Sequence, residues 1–419
     1  MPDGRVQVFR AFRHRNFRLL LAGTVLVGLV QPLHFVTQIF WVQEVYPDLQ
    51  IIYTGFLMGA RGVATLLFSL IGGAIADRFE RRLVLLGCES ATLVLSAFVA
   101  LLMLTNPFGD ATFFGVLVLT FLASATQAID HPARQASIPA AVGMDDLGNA
   151  ISLNSAAQQL MIPITIPLAA VLNDVVGPGV LYGGSLVTWI GIIPLIAALN
   201  YSSRGEAGRQ VFRAVAEGLQ YTWRHIVILA AVGLLFVMNG VGMPGVGNLG
   251  IIWATEILDV GGLGFALMAF GWGTGAVGGS MFFAQRPEVA GRGSTLVLAA
   301  VAFAVSAIVF AYSRSIWLTA ATNVGLGVAL SASSISAAVI IQQQVAEGVR
   351  GRVMGLLPFT NGVAMLLTLP ISAVAQQTGL PIVLVVLGWA TLALSAAIAL
   401  VVPQIRRVRP EPVPSVAPG

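Results

Sequence analysis

The chain has 419 residues, of which 57% are apolar and 10% charged, with a formal net charge of +4. A soluble chain carries about 25% charge, whereas twelve bilayer-spanning helices of about 20 apolar residues each would use the whole apolar inventory. The composition excludes an ordinary soluble enzyme, a nucleic-acid-binding module and a disordered protein.

All 22 basic residues are arginine. Without lysine there is no P-loop and no Schiff-base chemistry, so the chain holds no nucleotide-driven pump of its own. The single cysteine, Cys88, removes any intramolecular disulfide framework and reads as a small packed residue. His14, His34, His131, His225 and Cys88 show no metal-ligand spacing. No catalytic constellation stands out, and no metal or cofactor is expected.

Residues 1–16 are polar and arginine-rich, and an apolar run follows from about 17 to 43. That run is too long for a signal-peptide core and ends in no small-residue cleavage site, so it reads as a retained first membrane helix. Further helices are expected at 51–77, 83–104, 112–132, 148–173 and 178–200. A second set is expected at 226–248, 260–284, 294–312, 316–341, 353–375 and 382–402. The longest polar segment, 201–225, separates the sets. Within it Val211, Val215, Leu219 and Trp223 recur every fourth residue, the pattern of an amphipathic helix in the membrane interface. The proline-rich tail 403–419 reads as disordered.

With these helices, 20 of the 22 arginines fall on one side of the membrane, Arg314 alone falls on the other, and Arg61 lies inside a helix. By the positive-inside rule both termini are cytoplasmic, in the cell (inner) membrane. Helix 2 ends in Gly72-Gly73 and helix 8 in Gly278-Gly279, each followed by arginines, at an offset of 206 residues. The expected fold is therefore an all-α polytopic membrane protein with twelve transmembrane helices in two six-helix pseudo-repeats. Its parts are an N-terminal bundle (1–200), a linker (201–225), a C-terminal bundle (226–402) and the tail.

The 2–3 loop reads Gly73-Ala74-Ile75-Ala76-Asp77-Arg78-Phe79-Glu80-Arg81-Arg82. It resembles the cytoplasmic signature of the major facilitator superfamily, a glycine followed by Asp-Arg and a basic pair. Within that superfamily the chain is similar to the enterobactin-exporter and macrolide-efflux branch. The similarity rests on this loop, on Pro132 through Pro139 with Asn149-Ala150, and on Arg350 through Gly355. Two departures stand out. Helix 5 keeps Pro163 and Pro167 without the relatives' glycines, and helix 1 carries Gln31 and His34 where relatives often have an acid.

The loop chemistry suits a gate. Gly72 and Gly73 let two helices approach closely, and Asp77 is placed to face the positive end of another helix. The resemblance implies that this is helix 11, near Val353, with Arg350 or Arg352 beside Asp77. It also implies that Arg81 pairs with Asp130 and that Asp130, His131 and Arg134 join the same cytoplasmic latch.

Intramembrane charge is costly and marks function. Arg61 lies 16 residues before Asp77, ~24 Å along helix 2, and His34 lies 17 residues after Phe17, ~25 Å along helix 1. The two share a depth near the bilayer centre. Gln31, His34 and Gln38 fall on one helical face. The anion for Arg61 is either Glu89, ~9 Å into helix 3, or an acidic group on the substrate; the alternative is an arginine satisfied by helix carbonyls. Asn154, Gln158, Asn239, Asn323 and Asn361 complete the candidates for substrate binding or coupling. The run from Asn239 to Gly245 is expected to weaken helix 7.

These features point to a secondary transporter that exports an amphipathic small molecule by alternating access. Protons are the coupling ion, with Glu89 or His34 as carrier, the lipid bilayer is the setting, and a monomer suffices. An importer or lipid flippase on the same scaffold, or a non-transporting membrane scaffold, are the alternatives.

Overall fold

A computed structural model describes residues 10–143, 145–200, 211–345, 347–354 and 356–409. Among these residues the chain is all-helical. Each expected span is present. Helix 1 is Arg15–Val45, helix 2 Gln50–Arg78, helix 3 Arg81–Thr105, helix 4 Thr112–Val142 and helix 5 Leu147–Val176. Helix 6 joins Pro178–Gly184 to Leu186–Ala197 through a turn at Ser185. Helix 7 covers Ile226–Ile257. Helix 8 is Gly262–Gln285, helix 9 Gly293–Tyr312 and helix 10 Ile316–Gln344. Helix 11 comprises Glu347–Met354 and Leu356–Thr378, and helix 12 is Leu380–Val401. Eleven of the twelve are long and apolar enough to cross a bilayer. Helix 8 has the length, 24 residues, but its glycines dilute its hydropathy.

Local sequence sets the breaks. Helix 5 stops at Gly177, whose φ of +80° suits glycine. Pro178 then starts helix 6, where its missing N–H costs nothing. Helix 7 loses α-geometry at the expected place. Wider π-turns occupy Val237–Gly242, Pro244–Asn248 and Trp253–Ile257 around Pro244 and four glycines.

The chain divides into two compact units. The first is Met1–Val211 with Ala254–Ala266. In it helix 1 packs on helices 5 and 6, and helix 4 packs on helices 2 and 3. Phe17, Leu20, Ile138, Trp189, Ile192 and Ile196 form part of its core. At the end opposite the 2–3 loop, Gln43 and Gln50 hydrogen-bond Thr255 and Glu256 at 2.7 and 2.6 Å. Helices 2 and 4 meet backbone to backbone, since a Cβ on Gly72 would lie 2.6 Å from Ile129 Cα. Gly73, named with it from the sequence, faces open space. Only the first glycine of the pair makes the close approach.

The second unit is Phe212–Trp253 with Leu267–Gly419. Helix 9 packs on helices 10 and 12, and helix 11 packs on the π-turns of helix 7. The amphipathic helix forms over Val211–Arg224 and leaves Leu219 and Trp223 47% and 67% exposed, as an interfacial helix requires. The expected disorder from 403 onward is not found at its start. Gln404–Arg407 is a helical turn with Ile405 buried, and Gly293 N–H donates to the Val408 carbonyl. Residues 410–419 lie outside the described residues.

Candidate functional site

Helices 1, 2, 3, 4 and 6 of the first unit enclose a cavity of about 30 Å³, measured to water centres. It has room for roughly two water molecules. Gln31, His34 and Gln38 all line it, as their three-then-four spacing requires, and Arg61 closes it from helix 2. The structure thus brings His34 and Arg61, matched in depth from the sequence, together with Gln31 and Gln38. Thr120, Ser124 and Gln127 from helix 4 add neutral polar groups.

Among the described residues, Arg61 is held without an acid. Its Nη2 donates to Gln38 Oε1, its guanidinium lies 5.7 Å from the Phe35 ring centroid, and its Nε has no hydrogen-bond partner among the described residues. Gln38 is fixed in turn, since its Nε2 donates to Thr120 Oγ1 at 2.9 Å. His34 stacks on Tyr182 with ring centroids 3.9 Å apart. Its Nε2 lies 2.8 Å from Ser185 Oγ. That hydroxyl donates to the Tyr182 carbonyl, so His34 Nε2 is the donor in the pair.

Glu89 is not the anion for Arg61. It is buried at the side of Arg134, which donates to Glu89 Oε1 through Nη2 and to Asp130 Oδ2 through Nε at 3.0 Å. Arg134 and Asp130 sit four residues apart on helix 4, one turn of a shared face. All three side chains are almost fully buried. Gly23 of helix 1 leaves room for the guanidinium, because a Cβ there would lie 3.1 Å from Arg134 Nη1.

This pairing corrects the expected latch. Arg81 does not bind Asp130; it donates to the Ala136 carbonyl at 2.7 Å. Arg82 donates to the Ala197 carbonyl, Arg15 to that of Ala198 at 3.1 Å and Asn16 to that of Asn200 at 3.0 Å. These groups satisfy carbonyls at the C-terminal end of helix 6. Arg78 is exposed, 6.0 Å from the Phe79 ring centroid. The Asp77 side chain lies outside the described residues. Arg352 pairs with Glu217 of the amphipathic helix at 2.5 Å, and Arg350 donates to the Val345 carbonyl at 3.3 Å.

The remaining candidates stand apart from the cavity. Asn154 is buried, with Oδ1 unpartnered among the described residues, and Gln158 is half-buried. Asn239 and Asn323 each donate to a carbonyl of their own helix, Leu235 at 3.0 Å and Thr319 at 2.8 Å, and Asn361 is exposed.

A profile of proteins described as transmembrane secretion effectors, MFS_3, matches residues 8–414. The chain belongs to this family. No curated protein sequence matches it significantly. Among solved structures, this secretion-effector family member is similar to the nucleoside transporter NupG, with a TM-score of 0.72 at 12% identity, over 92% of this chain and 99% of that one. It is also similar to a bacterial homolog of the human lysosomal transporter Spinster, with a TM-score of 0.69 at 15% identity, over 95% and 99%. The human organic anion transporter MFSD10 gives a TM-score of 0.65 at 14% identity, over 92% and 99%. At these identities the likeness shows the fold, that of a major facilitator transporter.

One cluster of the secretion-effector fold had no signal in the sequence. Asp146, between helices 4 and 5, forms ion pairs with Arg10 and Arg13 at 2.8 Å each and faces His14 Nε2 at 2.7 Å. Beside it Ala11 N–H donates to Asn149 Oδ1 at 2.9 Å. Its partners lie more than 130 positions away in sequence, and only the fold brings them together. The hydrogen bond from His14, with Arg13 and Arg10 beside it, holds the Asp146 carboxyl below the usual carboxylate range. A depressed carboxyl stabilises the fold above its ordinary pKa of about 3.9 and loses that contribution as pH falls through the depressed value. Asp146→Asn is therefore expected to speed hydrogen exchange at the Ala11 amide at neutral pH. The wild type should match the variant only below the ordinary carboxylate range.

Proposed function

We propose that the protein is a proton-coupled exporter of an amphipathic small molecule, of the drug- and siderophore-export kind that its loop motifs resemble. The observation that carries the reading is Arg134 between Glu89 and Asp130. Two carboxylates facing one guanidinium leave one negative charge in excess, in a setting where unpaired charge is costly. One proton neutralises the excess, so the cluster is built to take up and release a proton. No lysine is present for a P-loop, so the energy comes from the proton gradient, where one charge crossing 100 mV is worth about 2.3 kcal/mol.

In this reading the 2–3 loop and both termini face the cytoplasm of a cell whose inner membrane holds the chain, as the arginine distribution favours. The halves 1–200 and 226–402 alternate access about the bilayer midplane. The chain acts as a monomer. The polar lining of the cavity argues against a flippase that moves acyl chains alone.

Proteoliposomes tested separately with rhodamine 6G and carboxyfluorescein check the proposal. An imposed pH gradient is expected to drive accumulation of one of these amphipaths, and its collapse to stop it. Fluxes that ignore the gradient would remove proton coupling.

A further inference from the structure

We infer that the cavity beside Arg61 seats a carboxylate, and that the transported amphipath is therefore an organic anion. The inference deepens the proposed export function and rests on it for the word "transported". The charge inventory of the cavity carries it. Arg61 is its one guanidinium, His34 is the other basic side chain that lines it, and among the described residues no acid lines it. Glu89 and Asp130 are taken by Arg134. What Arg61 receives instead is neutral: one amide oxygen of Gln38 and the face of Phe35.

A guanidinium in a membrane interior needs an anion, and Arg61 Nε is a donor without a partner among the described residues. Guanidinium groups bind planar carboxylates through two parallel N–H donors. Gln38 acts here as a positioning residue. Its amide nitrogen is tied to Thr120 Oγ1, so its oxygen is aimed at Arg61 Nη2. Space for roughly two waters admits a carboxylate head and leaves the apolar remainder of the ligand outside the cavity. A cationic head is disfavoured there by like charge.

The test uses the full chain in lipid nanodiscs and equilibrium calorimetry, with benzoate and its near-isosteric neutral analogue benzamide as probes. Benzoate is expected to bind at least about tenfold more tightly than benzamide. Arg61→Gln should weaken benzoate by roughly tenfold or more and benzamide markedly less, as loss of a charge-assisted contact implies. Circular dichroism monitors the fold. Should Arg61→Gln not fold, Arg61→Lys keeps the charge and should still prefer benzoate to benzamide. Absence of benzoate binding, equal affinity for the two probes, or unchanged benzoate affinity in Arg61→Gln would overturn the inference. Chloride displacing benzoate at equal concentration would also overturn it, by reducing the cavity to an inorganic-anion seat. Binding is read without a gradient, so its failure is separable from failure of proton coupling.

Discussion

Arg134→Met is expected to be the most damaging single change in the first unit, lowering stability by about 3–5 kcal/mol. Methionine fills similar volume but leaves Glu89 and Asp130 buried together without a cation. Repulsion and desolvation then act in the same direction. The double variant Arg134→Met/Glu89→Gln should recover most of the loss, because it removes one of the two charges. Thermal unfolding of the purified variants in detergent measures both effects, and the coupling between them follows from the double-mutant cycle. A purely packing role for Arg134 predicts no recovery.

The second large effect belongs to helix 8. Gly271, Gly275 and Gly279 recur every fourth residue and press on helix 10. An added Cβ would lie 2.6 Å from the Ala320 carbonyl oxygen, 2.1 Å from that of Val324 and 2.3 Å from Ser331 Oγ, respectively. From the other side, a Cβ on Gly327 would lie 2.2 Å from the Trp272 carbonyl oxygen. In a membrane, where lipid is as apolar as the helices, such close backbone packing is a main source of helix association. Gly275→Ala is expected to force helices 8 and 10 apart and cost about 1–3 kcal/mol or more, read as loss of the monodisperse peak in size-exclusion chromatography after mild heating. Gly278→Ala, one turn face away and with open space around it, should be silent. Equal behaviour of the two variants would remove the seam as a determinant of stability.

Long apolar runs with glycine, proline or arginine at their ends left few other folds open, so the twelve helices were legible in the sequence to within a few residues at most ends. Helix 7 was legible as broken because Pro244 and its neighbouring glycines cannot sustain regular α-geometry. His34 and Arg61 were legible at one depth from the helical rise, and Gln31, His34 and Gln38 on one helical face from their spacing; that helices 1 and 2 turn these groups toward one cavity was not legible. Nor were the partners of charged groups. Asp130 and Arg134 share a helical face by spacing, but nothing local shows that Glu89, 45 positions earlier, completes the set. The resemblance pointed Arg81 at Asp130, whereas tertiary packing gives Arg81 a backbone carbonyl. Spacing also does not separate Gly72 from Gly73, because only the rotation of helix 2 against helix 4 decides which one touches.

Infrared difference spectroscopy of the purified protein as pH is varied tests proton uptake by the buried triad without needing a substrate. A protonated-carboxyl band that appears and disappears with pH in the wild type, and is lost in Glu89→Gln while the fold is retained, is the predicted result. A spectrum with no such band, or a band that survives in both Glu89→Gln and Asp130→Asn, would contradict a proton-carrying site at Arg134.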